Sequence, residues 1–267
     1  GKVEETRKYR RPSGQVAEEP GFPEWREAII AERTNLRYDR MFFGNGLYRN
    51  LGGGKFEEVS DRANAETFWP WGIANGDYDQ DGFEDALIPS GMGFPFPYWR
   101  SPFLKNNGDG TFTDLSGSVG IDPPPGGKFL DVRLGGMDVA RSSRCAAVGD
   151  FDGDGRLDVV VNNFNDRPFL LMNRWPKRNF IAFRLRGTRG NRDAVGAVVS
   201  LHAGGRVMVR QVQAAGGYLA QSSKTVHFGL GDARSVERCE IRWPGGRVQS
   251  LGSLEPNRMH AVTEPAE

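Results

Sequence analysis

Apolar residues along this chain fall in short alternating runs, and only rarely at the three- and four-residue spacing of helices. From Asn179 onward, NFIAFRLRG, GAVVSLHAGG, RVMVRQVQA, TVHFGLG, VERCEIRWPGG, RVQSLG and MHAVTE place apolar side chains at alternate positions, with Gly or Pro between the runs. That period buries one face of a strand. Seven such strands predict a compact C-terminal β-sandwich or barrel.

Upstream, the pattern repeats itself. LYRNLGGGKFEEVS at 47–60 is echoed by FLKNNGDGTFTDLS at 103–116, and FLLMNR at 169–174 begins a third copy before departing. Each full copy reads as a hairpin whose glycines supply the positive φ of a tight turn, with Phe56 and Phe112 expected at the first inward position of the returning strand. Between the hairpins, GIANGDYDQDGFEDALIPS at 72–90 matches CAAVGDFDGDGRLDVVVNN at 145–163. The repeat unit is about 60 residues, the scale of a four-stranded propeller blade. Residues 1–20 are charged and broken by Pro12 and Pro20, which suggests an arm without its own core, and PEWREAIIAERT at 23–34 predicts one short helix. The expected organisation is therefore an arm over 1–45, blades over 46–175 and a small β domain over 176–267, all-β apart from the one helix.

The candidate chemistry lies in the repeats. Asp77, Asp79, Asp81, Gly82 and Asp85 spell D-x-D-x-D-G-x-x-D, and Asp150, Asp152, Asp154, Gly155 and Asp158 spell it again. Like charges about 5 Å apart repel by roughly 3 kcal/mol at an effective dielectric near 20, so a folded loop of this kind calls for a cation. Hard oxygen donors from a flexible loop select Ca2+, and the backbone carbonyls of Phe83 and Arg156 at position seven would complete the ligand set, with two ions expected per chain. Neither loop is an EF-hand: position twelve is Ile88 or Val161 where that motif needs Glu, and apolar strand sequence follows in place of a helix. The ions are expected to hold blades together and to take no part in catalysis.

These two loops, with N-x-G-x-G-x-F hairpins between them, resemble FG-GAP/VCBS repeats. NRDAVGAVVSLHAGG, GGYLAQSSKTVHFGLG and VERCEIRWPGGRVQSL in the tail resemble the ASPIC/UnbV domain that follows such repeats in cartilage acidic protein-like proteins. The resemblance implies an extracytoplasmic, secreted or periplasmic, calcium-binding all-β protein, and brings no settled activity with it. Propellers of that family usually have about seven blades, so radial closure hides their edges. Two loop-bearing blades and a leading half-blade make only a partial propeller with open edges. We therefore expect completion by another polypeptide or by an N-terminal part of the propeller outside this sequence.

The remaining features narrow the function. Lys+Arg against Asp+Glu is 20 to 27 over 1–173 and 15 to 7 over 174–267, an acidic body with a basic tail, inside a net charge of +1. The basic residues are spread along strands, which argues against nucleic acid, and no apolar run approaches the ~18 residues of a membrane span. No leader is visible at Gly1, so the chain reads as processed or leaderless. Cys145 and Cys239 are either one bridge or, as we expect, two separate thiols. Phe94, Phe96, Tyr98 and Trp99 in GMGFPFPYWR, with Trp69 and Trp71 nearby, form either a recognition surface for a glycan or partner or a cluster packed back on the blades. His202, His227 and His260 lack zinc spacing, Ser222 and Ser223 lack a nucleophile elbow, and GGGK at 52–55 lacks the spacing of a phosphate loop. The sequence thus points to a non-catalytic, calcium-stabilised binding and assembly module. An accessory or catalytic subunit with a small-molecule or glycan pocket is the alternative, and adhesion to matrix through the basic tail is a third reading.

Overall fold

In a computed structural model, the residues described are 8–10, 16–18, 44–67, 69–91, 100–121, 133–134, 137–138, 142–164 and 167–266. The helix expected over 23–34 and the aromatic loop residues Phe94, Phe96, Tyr98 and Trp99 lie outside them. The described chain is all-β. Two short antiparallel pairs, β1 (Lys8–Arg10) with β2 (Val16–Glu18) and β9 (Arg133–Leu134) with β10 (Met137–Asp138), form two-stranded sheets of their own.

The hairpin of β3 (Tyr48–Gly52) and β4 (Lys55–Glu58) comes first in the repeat region. A four-stranded antiparallel meander follows, made of β5 (Ala74–Gly76), β6 (Asp85–Leu87), β7 (Phe103–Asn106) and β8 (Phe112–Asp114), in sequence order. The next sheet has three strands, β11 (Ser143–Gly149), β12 (Asp158–Asn163) and β13 (Phe169–Leu171). Ala74, Tyr78, Leu87 and Phe103 of the meander share one apolar cluster with Ala146, Val148, Val159 and Val161 of the three-stranded sheet. A second cluster joins Ile88 and Leu104 to Val59, Ala63 and Ala65 just after the first hairpin.

The first hairpin differs from its repeat partner in one respect. Phe112 packs partly into that second cluster, whereas Phe56 is 61% exposed, contrary to the inward position expected of it. The reason is topological: among the described residues β3 and β4 hydrogen-bond only to each other, so no described strand covers the Phe56 face.

In the C-terminal part all seven alternating segments form strands: β14 (Asn179–Arg186), β15 (Val198–Ala203), β16 (Arg206–Gln211), β17 (Val226–Gly231), β18 (Val236–Arg242), β19 (Val248–Leu254) and β20 (Met259–Thr263). They make two sheets, β17-β14-β20 and β16-β15-β18-β19. One core holds both together, with Ile181, Phe183 and Phe228 from the first meeting Leu201, Ile241 and the fully buried Trp243 at the end of the second. The arrangement is a two-sheet sandwich, not a closed barrel. Within it β14 pairs parallel with β20, from Ala182↔Met259 to Arg186↔Thr263. Cys145 and Cys239 are both free thiols; burial pushes that of Cys239 up to about 12.

Candidate metal centres

Each acidic loop sits between the first two strands of its sheet, β5 and β6 or β11 and β12, and the two make the same bonds to their first and last aspartates. The first aspartate ties the loop: Asp77 Oδ1 accepts from Asp81 N at 2.9 Å and its Oδ2 from Gly82 N at 2.8 Å, while Asp150 accepts from Asp154 N at 3.0 Å and Gly155 N at 2.9 Å. The last aspartate closes it. Asp85 accepts from Tyr78 N at 3.1 Å and Asn106 N at 2.8 Å; Asp158 accepts from Phe151 N at 2.9 Å and Asn173 N at 2.8 Å. Turning the chain inside each loop needs positive φ, which Gly82 and Gly155 adopt at 94° and 91°.

Of the expected ligands, Asp77, Asp79 and Asp85 bring carboxylate oxygens within 4.8 Å of one another, and so do Asp150, Asp152 and Asp158. Asp81 and Asp154 stand outside these triads. Asp81 accepts from Phe83 N and pairs with Lys105 at 2.7 Å, and Asp154 pairs with Arg156, which holds its carboxyl down at about 2. Phe83 and Arg156 turn their side chains to other tasks: the Phe83 ring lies under the Arg206 guanidinium, and Arg156 reaches the Trp175 carbonyl.

Could these oxygens hold an ion? The donor set of each triad is oxygen alone, the preference of a hard cation. Burial, then repulsion from neighbouring carboxylates, pushes Asp77 and Asp85 up to about 7, which marks an unbalanced concentration of negative charge. Lys105 neutralises part of it, lying 2.8 Å from Asp79 Oδ2, yet Asp79 Oδ1 is buried with no hydrogen-bond partner. Both clusters could hold a metal ion.

The loops also form the joint with the C-terminal sandwich. Gly229 N in β17 donates to Asp77 Oδ2 at 2.8 Å, so this carboxylate ties strands far apart in sequence. Gln80, fully buried at position four of the first loop, sends Nε2 to the Gly155 carbonyl, accepts Arg178 N on Oε1 and accepts Gly231 N on its backbone carbonyl, each at 2.8 Å. It holds φ of 59°, where the second loop has Gly153. His227 reaches the same Gly155 carbonyl through Nε2 at 2.9 Å and stacks on Phe180; that bond makes Nε2 the protonated nitrogen, and burial pulls the imidazole down to about 4. Outside the loop, Arg206 donates to Asp81 O at 2.8 Å and Arg210 pairs with Glu84 at 3.2 Å, so the basic tail meets the acidic body here.

None of Gln80, Gly229 and His227 was singled out by loop spacing as part of this site. The one available signal was Gln80 itself, a polar residue where the sister loop carries glycine. A cavity of about 570 Å3 lies between the loops and the sandwich, with Asp77, Asp150, Arg210, Lys224 and His227 on its walls. Ser222 and Ser223 extend the β11 edge: Val148 N donates to Ser222 Oγ at 3.1 Å, and Ser223 N to Val148 O at 2.8 Å. Trp71 packs back, beneath Arg144 and against Tyr218, while Trp69 lies half-buried in a shallow depression beside Gly44. Among the described residues no helix is long and apolar enough to cross a membrane.

The family model described as ASPIC and UnbV matches residues 187–267. Cartilage acidic protein 1 of Xenopus tropicalis is 38% identical over 72 residues, 26% of this chain and 9% of that protein. The proteins of the same name from Mus musculus and Homo sapiens are 32% identical over 129 and 124 residues, 45% and 44% of this chain. The chain spans less than a fifth of the length of these relatives, with 19% and 18% of the mouse and human proteins covered.

Proposed function

We propose that this chain is a calcium-stabilised, extracytoplasmic binding and assembly module without catalytic activity, built from FG-GAP/VCBS-type blades capped by an ASPIC/UnbV-type sandwich. The observation that carries the reading is the duplication of one loop geometry. Two nine-residue acidic turns make the same four backbone bonds to their first and last aspartates, and each gathers three carboxylates. A structural ion in the first would offset the cost of burying the Asp77 and Asp85 carboxylates, and ions in both would brace the joint with the sandwich through Gly229 and His227.

Loops of this type with site affinities of about 0.1–1 mM fill where calcium is abundant, outside the cytoplasm. The relatives carry cartilage in their name, which agrees with such a setting. Partners are then another polypeptide or further blades, with glycan or matrix as candidates, and neither nucleic acid nor a membrane span is involved. Native mass spectrometry in calcium should show two ions per chain, and chelation should lower the melting temperature. A chain that carries no ion and melts unchanged after chelation overturns the proposal.

A further inference from the structure

The repeat copies allow a residue-by-residue comparison of three strands. In the register of the two hairpins, Tyr48↔Glu58, Arg49↔Glu57 and Asn50↔Phe56 correspond to Leu104↔Asp114, Lys105↔Thr113 and Asn106↔Phe112. Their closures match too: Ser60 Oγ accepts Leu47 N as Ser116 Oγ accepts Phe103 N, and Asn50 Oδ1 accepts Gly52 N as Asn106 Oδ1 accepts Gly108 N. Strand β3 is thus the counterpart of β7, and β13 with Asn173 is the third copy.

In the two later copies the asparagine completes an acidic loop. Asn106 N donates to Asp85 and its Nδ2 to the Glu84 carbonyl at 3.1 Å; Asn173 N donates to Asp158 and its Nδ2 to the Leu157 carbonyl, also at 3.1 Å. Beside them a cation faces the loop carboxylates, Lys105 on Asp79 and Asp81 in one copy, and Arg174 on Asp152 in the other, where Met172 takes the place of Lys105. At β3 the same donors are in place, and no acceptor meets them among the described residues. Neither Arg49 nor the Asn50 Nδ2 has a partner among the described residues, and Tyr48 is 58% exposed where Leu104, covered by Ala86 of β6, is 3% exposed.

We infer that the free edge of β3 is a docking surface for one kind of partner: a strand pair joined by a third D-x-D-x-D-G-x-x-D loop. Its last aspartate would accept the Asn50 amide, its inner carboxylates would face Arg49, and its second strand would cover Tyr48. The motif occurs in this sequence only at 77–85 and 150–158, and both of those loops already hold their own asparagines. The occupant therefore comes from outside these 267 residues, and a second copy of the chain could supply it only by giving up one of its own. This rests on reading the acidic loops as blade elements.

The probe is the chain's own unit. A copy of residues 69–91 is joined by a flexible linker ahead of residue 1 of the full chain, and hydrogen exchange at the Asn50 amide is followed by NMR in calcium. Exchange should slow by about tenfold or more relative to the unfused chain. Arg49→Glu, or replacement of the fused copy's last aspartate by alanine, should abolish that protection. Equal exchange with and without the fused segment overturns the inference, as does protection that survives both substitutions. Protection already present in the unfused chain and growing with protein concentration would assign the edge to a second copy, which also overturns it. Calcium retention measured on the unfused chain tests the functional reading separately.

Discussion

The backbone amide of Gly229 meets Asp77 Oδ2 at 2.8 Å, and a Cβ at Gly229 would fall 2.2 Å from that same oxygen and 2.4 Å from the Gln80 backbone. Two segments 152 positions apart approach this closely only because the strand residue has no side chain. Gly229→Ala should therefore destabilise the protein by about 1–3 kcal/mol, since the obstacles are backbone and a fixed carboxylate that cannot swing away. Chemical denaturation of the variant checks this. A melting curve indistinguishable from the parent would mean that the sandwich does not rest on the first loop.

The loops are alike in bonding but differ in setting, the first buried and the second partly exposed. We expect Asp77→Asn and Asp152→Asn each to remove one calcium ion of two by titration calorimetry. With calcium about ten times above Kd, each ion adds about 1.4 kcal/mol through mass action. Asp77→Asn should cost more than that, because it also weakens the Gly229 contact, whereas Asp152→Asn should cost little beyond its ion.

Acid and alkali should act on the first loop in opposite senses with and without metal. Folded metal-free protein holds Asp77 and Asp85 up at about 7, above their unfolded value near 3.8, so between those limits the native state binds more protons than the unfolded chain. Their contribution is present at low pH and is lost as pH rises toward 7. Bound calcium favours the carboxylates and should cancel that loss. Melting temperatures with chelator and with calcium should hence diverge as pH climbs from 5 toward 7; parallel curves would speak against the loops as cation sites.

His227 adds a term of the other sign. Its folded value near 4 lies below the ordinary 6.5, so its contribution is full above about 6.5 and falls away as acid approaches 4. Changing His227→Gln keeps a donor for the Gly155 carbonyl and removes the titration. The variant should lose less stability than the parent between pH 6.5 and 4, as read by urea midpoints.

Gln80 sits in left-handed backbone and bridges both loops and the sandwich. Gln80→Ala should cost about 2 kcal/mol by stranding the Arg178 amide. Gln80→Gly should recover about 1 kcal/mol of that by removing the Cβ penalty of positive φ. Thermal denaturation of the pair tests whether the bridge or the backbone dominates.

How much of this was legible beforehand depends on the range of the interaction. The acidic loops announce themselves because their ligands and turn glycine lie within nine residues, and the sandwich strands because alternation is local. Gly229 and His227 gave no such warning, and Gln80 only the hint of a polar residue where the sister loop has glycine: their partners lie 72 to 152 positions away, and a strand glycine looks the same whether or not a carboxylate fills the space where its side chain would be. Phe56 fails for a related reason. Its alternation marks a face to be covered, but only the neighbouring strand decides whether the cover is present, and among the described residues β3–β4 has none.

The parallel pairing of β14 with β20 has a consequence for biosynthesis. β14 is the central strand of its sheet, and its partner along one edge is made of residues 259–263, far along the chain from it. A nascent polypeptide can assemble the loop-bearing sheets while it is still being extended, but the sandwich has to wait, with Arg184 and Arg186 unmatched, until residues 259–263 have left the ribosome. Late closure of this kind makes loss of residues 259–263 far more damaging than a deletion of equal length within an exposed loop.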